Sequence, residues 1–520
     1  MAKILDRILI VDFGSQTTQL LGRRIREIGI LSEIVPHTYS FTPDNLEGVK
    51  GVILSGSPHS VYEEEAPAID SKLYESGLPV LGICYGLQRL IYDHKGAVSR
   101  RPEREYGRSR VTIKQKNKFL TDLPDNFVSW MSHGDSIEKV PEGISVLAES
   151  ENNLPAVVAW DDNHYYGLQF HPEVTHCEYG KEILENFASV ICGAKQEWSL
   201  KSYIDQIYRE IRTQVQEKKV LLLISGGVDS TVVAGLLLHA LDPEQVHLMY
   251  IDTGLMRKNE TAGVAENLKQ LGAKHLHIIN AEKDFLEALN GVSDPEEKRR
   301  IIGDLFITVQ EREIEKHNVR GAFLAQGTLY TDLIESGKGV GKSAKKIKSH
   351  HNVGSPLVEE KRNNGMLVEP LHFLYKDEVR EIGTIIGINP EIVHRHPFPG
   401  PGLAVRILGE ITKERCDVLR EADAIFIEEL KSRDLYDKIW QAFSVLLPVR
   451  SVGVTGDYRN YGFVLSLRAV VSRDGMTADV YEFNVKDLME ISSRITNSVQ
   501  EIGRVVYDIS SKPPSTIEWE

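Results

Sequence analysis

Short apolar runs alternate with polar turns and amphipathic stretches along the chain, and the alternation changes character twice. Over residues 1–194 the runs Ile8–Val11, Gly51–Leu54, Pro79–Ile83, Val157–Trp160 and Tyr166–Phe170 are β-rich and bounded by turns. Continuous rather than alternating apolar positions predict strands buried on both faces, as in a sheet covered by helices. Gly193-Ala194-Lys195-Gln196 reads as a linker and Ser199–Glu217 as a helix. Strand–helix alternation then resumes with Val220–Ile224, Val246–Ile251, His275–Ile279 and Ala322–Ala325, and predicts a doubly wound sheet with its ligand at the strands' carboxyl ends. His396-Pro397-Phe398-Pro399-Gly400-Pro401-Gly402 breaks all regular structure and marks the next boundary. Beyond it, strand-like Phe463–Val470 and helix-like Val485–Val499 predict a smaller α+β part. The expected architecture is therefore α/β: two doubly wound α/β domains, 1–194 and 199–394, followed by a smaller α+β domain, 395–520. Gly337–Ser349, rich in Gly and Lys, reads as a mobile loop.

Bulk properties narrow the function classes. A chain of 520 residues suits roughly three or four domains of ~150 residues. The net charge of −14 disfavours a general nucleic-acid binder. The four cysteines, Cys84, Cys177, Cys192 and Cys416, are scattered with no C-x-x-C, which points to neither a zinc site nor a disulfide framework. The first residues lack a signal-peptide layout, and no apolar run approaches the ~20 residues needed to cross a bilayer. The reading is a soluble cytoplasmic protein.

Two segments carry chemistry. Val220–Ile224 feeds Ser225-Gly226-Gly227-Val228-Asp229-Ser230-Thr231, which opens into an apolar helix expected over Val232–Leu241. Glycines there let backbone N–H groups approach an anion, and the helix N-terminus favours negative charge. The P-loop lysine is absent; Asp229 stands in the loop instead, suited to the Mg²⁺ that accompanies pyrophosphate. Asp252, ending the run Tyr250-Ile251-Asp252-Thr253-Gly254, and Gln326–Asp332 are placed to line the same crevice. In the first domain, Gly82-Ile83-Cys84-Tyr85-Gly86 sets Cys84 where a strand turns sharply into a helix, the layout of a nucleophile elbow. His171 and Glu173, two apart around Pro172, supply a base and its orienting acid on one face of an extended chain.

These motifs have relatives. SGGVDST resembles the loop of the ATP pyrophosphatases. G-x-C-x-G-x-Q with F-H-P-E resembles the class I glutamine amidotransferase domain, as do Asp12–Gln16 and Ser132–Asp135. That resemblance implies that Cys84 attacks the glutamine amide, that the oxyanion donors are the N–H groups of Ser57 and Tyr85, and that Gln88, Ser132 and His133 help hold glutamine. The oxyanion loop departs from the family's usual S-G-G-P and reads Ser55-Gly56-Ser57-Pro58. Serine tolerates positive φ less well than glycine.

HPFPGPG, Leu447–Asp457 and the tail Tyr507–Glu520 resemble the GMP synthetase family, so the resemblance spans nearly the whole chain. It implies an ATP-dependent ligase that makes GMP from XMP with glutamine as nitrogen donor, and a homodimer formed through the C-terminal domain. It implies ATP contacts from the phosphate loop and Lys348, and XMP contacts from Arg300, Gln441, Asp457, Lys512, Ile517 and Glu518, with the Pro399–Gly402 turn as a phosphate cradle. NAD synthetase shares the SGG-x-DS loop but does not explain HPFPGPG or the tail. A nucleotide or glutamine sensor that has lost catalysis would be expected to lack Cys84, His171, Glu173 or Asp229, and all four are present.

Overall fold

In the computed structural model, which describes residues 4–335, 356–455, 458–472 and 477–520, the apolar runs become strands of two units. One unit is Met1–Tyr203 with Tyr330–His350, the other Ile204–Leu329 with His351–Glu520. The segment Gly337–Ser349, with Lys348, lies outside the described residues, and so does Asp457.

The first unit is built on a nine-stranded sheet. Its strands are β1 (Arg7–Asp12), β2 (Leu31–Pro36), β3 (Val49–Leu54), β4 (Val80–Ile83), β5 (Ala97–Ile113), β6 (Asn126–Lys139), β7 (Ser145–Ser150), β8 (Pro155–Trp160) and β9 (Tyr165–Leu168). Their spatial order is β2-β1-β3-β4-β9-β8-β7-β5-β6. The run β2-β1-β3-β4-β9 is parallel, and Leu9, Val11, Val52, Leu54 and Val80 within it are buried. From β9 onward the pairing turns antiparallel. The long strands β5 and β6 were not expected, because β5 is dense in arginine and β6 buries the polar residues Ser129, His133 and Asp135 at inward positions, which hides the apolar alternation of a half-buried strand.

The second unit holds five parallel strands, β10 (Val220–Ile224), β11 (Val246–Asp252), β12 (His275–Asn280), β13 (Phe323–Ala325) and β14 (Leu367–Val368), in the order β12-β11-β10-β13-β14. The chain lays strands on one side of β10 and then returns to the other, so the switch point lies between β10 and β13. The helix after β10 spans Val228–Ala240 and starts earlier than expected, which puts Asp229, Ser230 and Thr231 in its first turn. It is apolar on all sides and mostly buried, as a central helix must be. A second sheet contains β15 (Gln441–Thr455), β16 (Tyr458–Val471), β17 (Asp479–Val480) and β18 (Ile502–Tyr507). One apolar core joins Met249, Ile251 and Leu255 to Leu403, Phe426, Leu465 and Ile491. The boundary expected at 394/395 thus falls inside a single core. Among the described residues no helix is long and apolar enough to cross a membrane.

Candidate active sites

Because β3, β4 and β9 are parallel neighbours, their carboxyl ends bring three loops side by side: Ser55–Pro58, Cys84–Gly86 and Gln169–Glu173. Cys84 sits at φ 51° and ψ −106°, a conformation a non-glycine residue holds only under external constraint. The constraint is visible. Its N–H donates to the Leu168 carbonyl (2.7 Å), and the next turn packs so closely that a Cβ on Gly86 would lie 2.1 Å from the Leu54 carbonyl oxygen. The thiol is buried, with Gln169 Nε2 donating toward Sγ at 3.9 Å. His171 Nδ1 donates to Glu173 Oε1 at 2.7 Å, which leaves Nε2 for the thiol. Burial alone would lower the His171 pKa, but the Glu173 carboxylate and the contact with Cys84 hold it well above the ordinary value. With its protonated form so favoured, the imidazole can draw the proton from the neighbouring thiol, and an imidazolium beside a thiolate is the pair that makes a cysteine nucleophilic.

Tyr85 opens the helix Tyr85–Asp93, so its N–H has no partner within that helix. Ser57 is absent from the non-glycine residues at positive φ. Its hydroxyl donates to the Phe13 carbonyl (2.9 Å), while Ser55 Oγ accepts the Phe13 N–H (3.1 Å). The loop carrying the expected oxyanion donor is thereby stitched to the segment after β1. Gln88 Nε2 donates to the Asp135 carbonyl (3.0 Å). The backbone carbonyl of Ser132 lies 3.8 Å from Cys84 Sγ, so that stretch does reach the thiol. His133 lies next in the strand. Its side chain is buried, with Nδ1 against the Asp135 carbonyl (2.9 Å) and Nε2 against Glu105 (3.0 Å). Both nitrogens are engaged within the protein. Glu105 was missed: it lies in an arginine-rich stretch, and only the fold gives it His133, Ser150 and Asn152 as donors. Burial works against its charge, but those donors hold its pKa below the usual carboxylate range.

In the second unit Gly226, at φ +79°, turns the chain from β10 into the helix. Ser225, Ser230 and Thr231 spend their hydroxyls inside the loop: Ser230 and Thr231 donate to the Gly227 carbonyl at 3.1 and 2.9 Å. They brace the loop, and Gly226, Gly227 and Val228 form its backbone at the helix start. Gly327, following β13, packs against Asp229, so these residues flank the switch point. Tyr330, expected in the same crevice, instead belongs to the first unit, where its hydroxyl receives the Ile34 N–H at 2.6 Å. Asp252 accepts from Gly254 N (2.9 Å) and Thr261 Oγ1 (2.6 Å), a role in shaping the strand end. Lys376 Nζ pairs with both oxygens of Asp229. It is the first residue of the helix Lys376–Ile385, where the helix dipole disfavours a cation. That misplaced charge was the one sequence signal for it.

The tail is ordered against the same unit. Gln441 is buried, and its Nε2 donates to Glu518 Oε1 at 2.8 Å. Ile517 packs with Phe443, Val445, Val470 and Ala478. Lys512 exchanges backbone hydrogen bonds with Ala478. Arg300 is exposed, pairs with Asp304 and Glu297, and is not brought to the tail residues by this chain alone. His396 of HPFPGPG is stacked on Tyr436 and accepts the Ala442 N–H (3.1 Å); burial pushes its pKa down to about 4, so it is a neutral structural residue. Gly402, at φ +64°, lies so close to the chain after β11 that a Cβ would meet the Leu255 oxygen at 2.3 Å. The turn is thus docked beside the five-stranded sheet.

Known proteins share these parts. Three family models match: glutamine amidotransferase class-I over residues 9–191, asparagine synthase over 205–306, and GMP synthase C terminal domain over 428–519. A GMP synthase [glutamine-hydrolyzing] of Aquifex aeolicus is 51% identical over 514 residues, covering 99% of each chain. Its counterpart in Bacillus licheniformis is 48% identical and covers 100% of each chain. A solved structure of a glutamine amidotransferase from Thermotoga maritima matches 41% of this chain and 87% of its own, with 21% identity and a TM-score of 0.29.

Proposed function

The chain belongs to the glutamine-hydrolysing GMP synthase family, and on that premise we propose how its residues divide the work. The activity is the ATP-dependent amination of XMP to GMP with glutamine as nitrogen donor. Cys84 attacks the glutamine side-chain carbonyl while His171 takes the thiol proton and returns it to the departing ammonia. Glu173 orients the imidazole. The N–H groups of Ser57 and Tyr85 receive the oxyanion. Water then cleaves the thioester to glutamate. Gln88 and the Ser132–His133 strand hold glutamine.

The loop Ser225–Thr231, Asp252 and Lys348 bind ATP. The xanthine C2 oxygen attacks the α-phosphorus and pyrophosphate leaves. The C2 oxygen, a poor leaving group by itself, departs as AMP when ammonia adds to C2. Mg²⁺ fits this site as a companion of ATP: one carboxylate, Asp229, together with phosphate oxygens is its usual donor set, and the ion would take the place of Lys376 Nζ, the cation that this carboxylate holds in the structure. When bound it neutralises charge on the leaving pyrophosphate. Among the described residues no group of three or more His, Cys, Asp or Glu side chains could hold a metal without such help. Gln441, Asp457, Lys512, Ile517 and Glu518 bind XMP, and Arg300 reaches the XMP of a second subunit in a homodimer formed through residues 395–520. The exposure of Arg300 agrees with that assignment. The enzyme works in the cytoplasm.

The observation that carries this reading is the convergence of Cys84 and the His171–Glu173 pair at the carboxyl ends of adjacent parallel strands. Product analysis with XMP, ATP, Mg²⁺ and glutamine tests it. GMP, AMP, pyrophosphate and glutamate are expected in equal amounts. Amidation of nicotinate adenine dinucleotide, with XMP inert, would replace the reading by an NAD synthetase.

A further inference from the structure

Lys298, Arg406 and Arg468 are 0% exposed. A cation so deeply buried is costly unless it is paired and hydrogen-bonded. For all three the counter-charge comes from one segment, the tail. Lys298 Nζ donates to Glu520 Oε2 (2.6 Å) and to the carbonyls of Ile407 (2.8 Å) and Ala404 (3.2 Å). Arg468 meets Asp508 (3.3 Å) and donates to the carbonyls of Ser510 (2.6 Å) and Thr516 (3.2 Å). Arg406 takes Glu518 in a two-point fork, Nε to Oε2 at 3.1 Å and Nη2 to Oε1 at 2.8 Å. These cations come from the helix Pro295–Lys316, from β16 and from the turn after Gly402. From Ser510 to Glu520 the tail contributes one buried apolar side chain, Ile517. The tail is set down mainly by charge.

Arg406 is the member of the three that touches the proposed nucleotide site. Its guanidinium lies over the rings of Phe443 (4.1 Å) and Phe398 (5.0 Å), the latter from HPFPGPG. Stacking and the fork together leave the guanidinium one orientation. The same carboxylate oxygen that meets Nη2 also meets Gln441 Nε2 at 2.8 Å. Glu518 is therefore held from two sides, and an acceptor-only carboxylate so held can read the N–H groups of a purine base. Burial first, and the neighbouring Arg406 charge second, push Arg257 down to about 10. The cost of confining two guanidiniums around Phe398 fits a site kept for geometry more than for stability.

We propose that Arg406 is a positioning residue for XMP, acting through Glu518, with Lys298 fixing the adjacent Glu520. This rests on the assignment of Glu518 as an XMP contact. The test is a double-mutant cycle in the full chain: Arg406→Met, Glu518→Gln and the pair, with Arg406→Lys as the variant that keeps the charge and loses the fork. KM for XMP and for ATP is measured with saturating ammonium, alongside the melting temperature. Each single change is expected to raise the XMP KM by about tenfold or more, with the ATP KM within about twofold. The double variant should be no worse than the worse single variant by more than about threefold, because one interaction is being removed twice. Arg406→Lys should recover part of the XMP affinity. Effects that multiply in the double variant, or a lowered melting temperature with an unchanged XMP KM in Arg406→Met or Arg406→Lys, would overturn the proposal. An unchanged XMP KM in Glu518→Gln would remove the XMP assignment itself.

Discussion

Replacing Glu173 by Gln keeps the shape of the first site and removes one charge. Glu173 is completely buried, and its Oε1 receives the His171 Nδ1 proton at 2.7 Å. A hydrogen bond to a charged group is worth about 1.5–3 kcal/mol, and the full amount applies here because no solvent screens the pair. That energy is what favours the protonated imidazole beside Cys84 against its burial. Its loss should lower glutamine-dependent kcat/KM by roughly 10- to 150-fold at neutral pH. Ammonium-dependent synthesis should be unchanged. The sign of the pH effect follows from the raised His171 value. The stabilising charge on His171 is complete below the ordinary histidine pKa and is lost as pH rises through the raised one. In Glu173→Gln the alkaline limb of the glutaminase profile should therefore move to lower pH, and the stability difference from the parent should be largest on the acid side. Glutamate release measured across pH checks this. A fall in activity with no displacement of the profile would refute the electrostatic role of Glu173.

Asp229→Asn should lower both ammonium- and glutamine-dependent AMP formation by several kcal/mol of transition-state stabilisation, about a hundredfold or more, across a Mg²⁺ titration; activity within about twofold of the parent would contradict the assignment. Lys376→Met should separate stability from function: the pair with Asp229 is half-exposed and worth at most about 1 kcal/mol to folding, so the melting temperature should barely move while kcat/KM for ATP falls at least tenfold. Deleting residues 512–520 should abolish XMP binding in calorimetry and also lower the melting temperature, since it strands Lys298 and Arg406; removing one partner of a buried pair costs about 3–5 kcal/mol. Unchanged XMP affinity in that protein would return the tail to an expendable terminus.

Much of this was legible in the sequence because the signals were local. A buried strand followed by a glycine turn predicts the phosphate loop wherever the chain goes next. The elbow at Cys84 and the spacing of His171 and Glu173 are equally local. What escaped depends on partners far along the chain. Lys376 meets Asp229 across 147 positions and Arg406 meets Glu518 across 112. No composition or period encodes such a pairing. The burial of His133 against Glu105 could not be read either, because Glu105 comes from β5, a strand that the charge pattern concealed. HPFPGPG breaks secondary structure without breaking the core: the Leu403 N–H meets the Leu255 carbonyl, so the apolar core runs across the expected boundary at 394/395.

The central claim is that glutamine hydrolysis and nucleotide amination are separate chemistries carried by separate parts of one chain. The most direct measurement is GMP formation by Cys84→Ala from XMP and ATP, with either glutamine or ammonium as the nitrogen source. The account predicts no GMP above background from glutamine and a rate within about twofold of the parent from ammonium, because Cys84 is the sole nucleophile of one reaction and takes no part in the other. Equal loss of both activities in a folded protein, or glutamine-dependent synthesis that survives without the thiol, would contradict it.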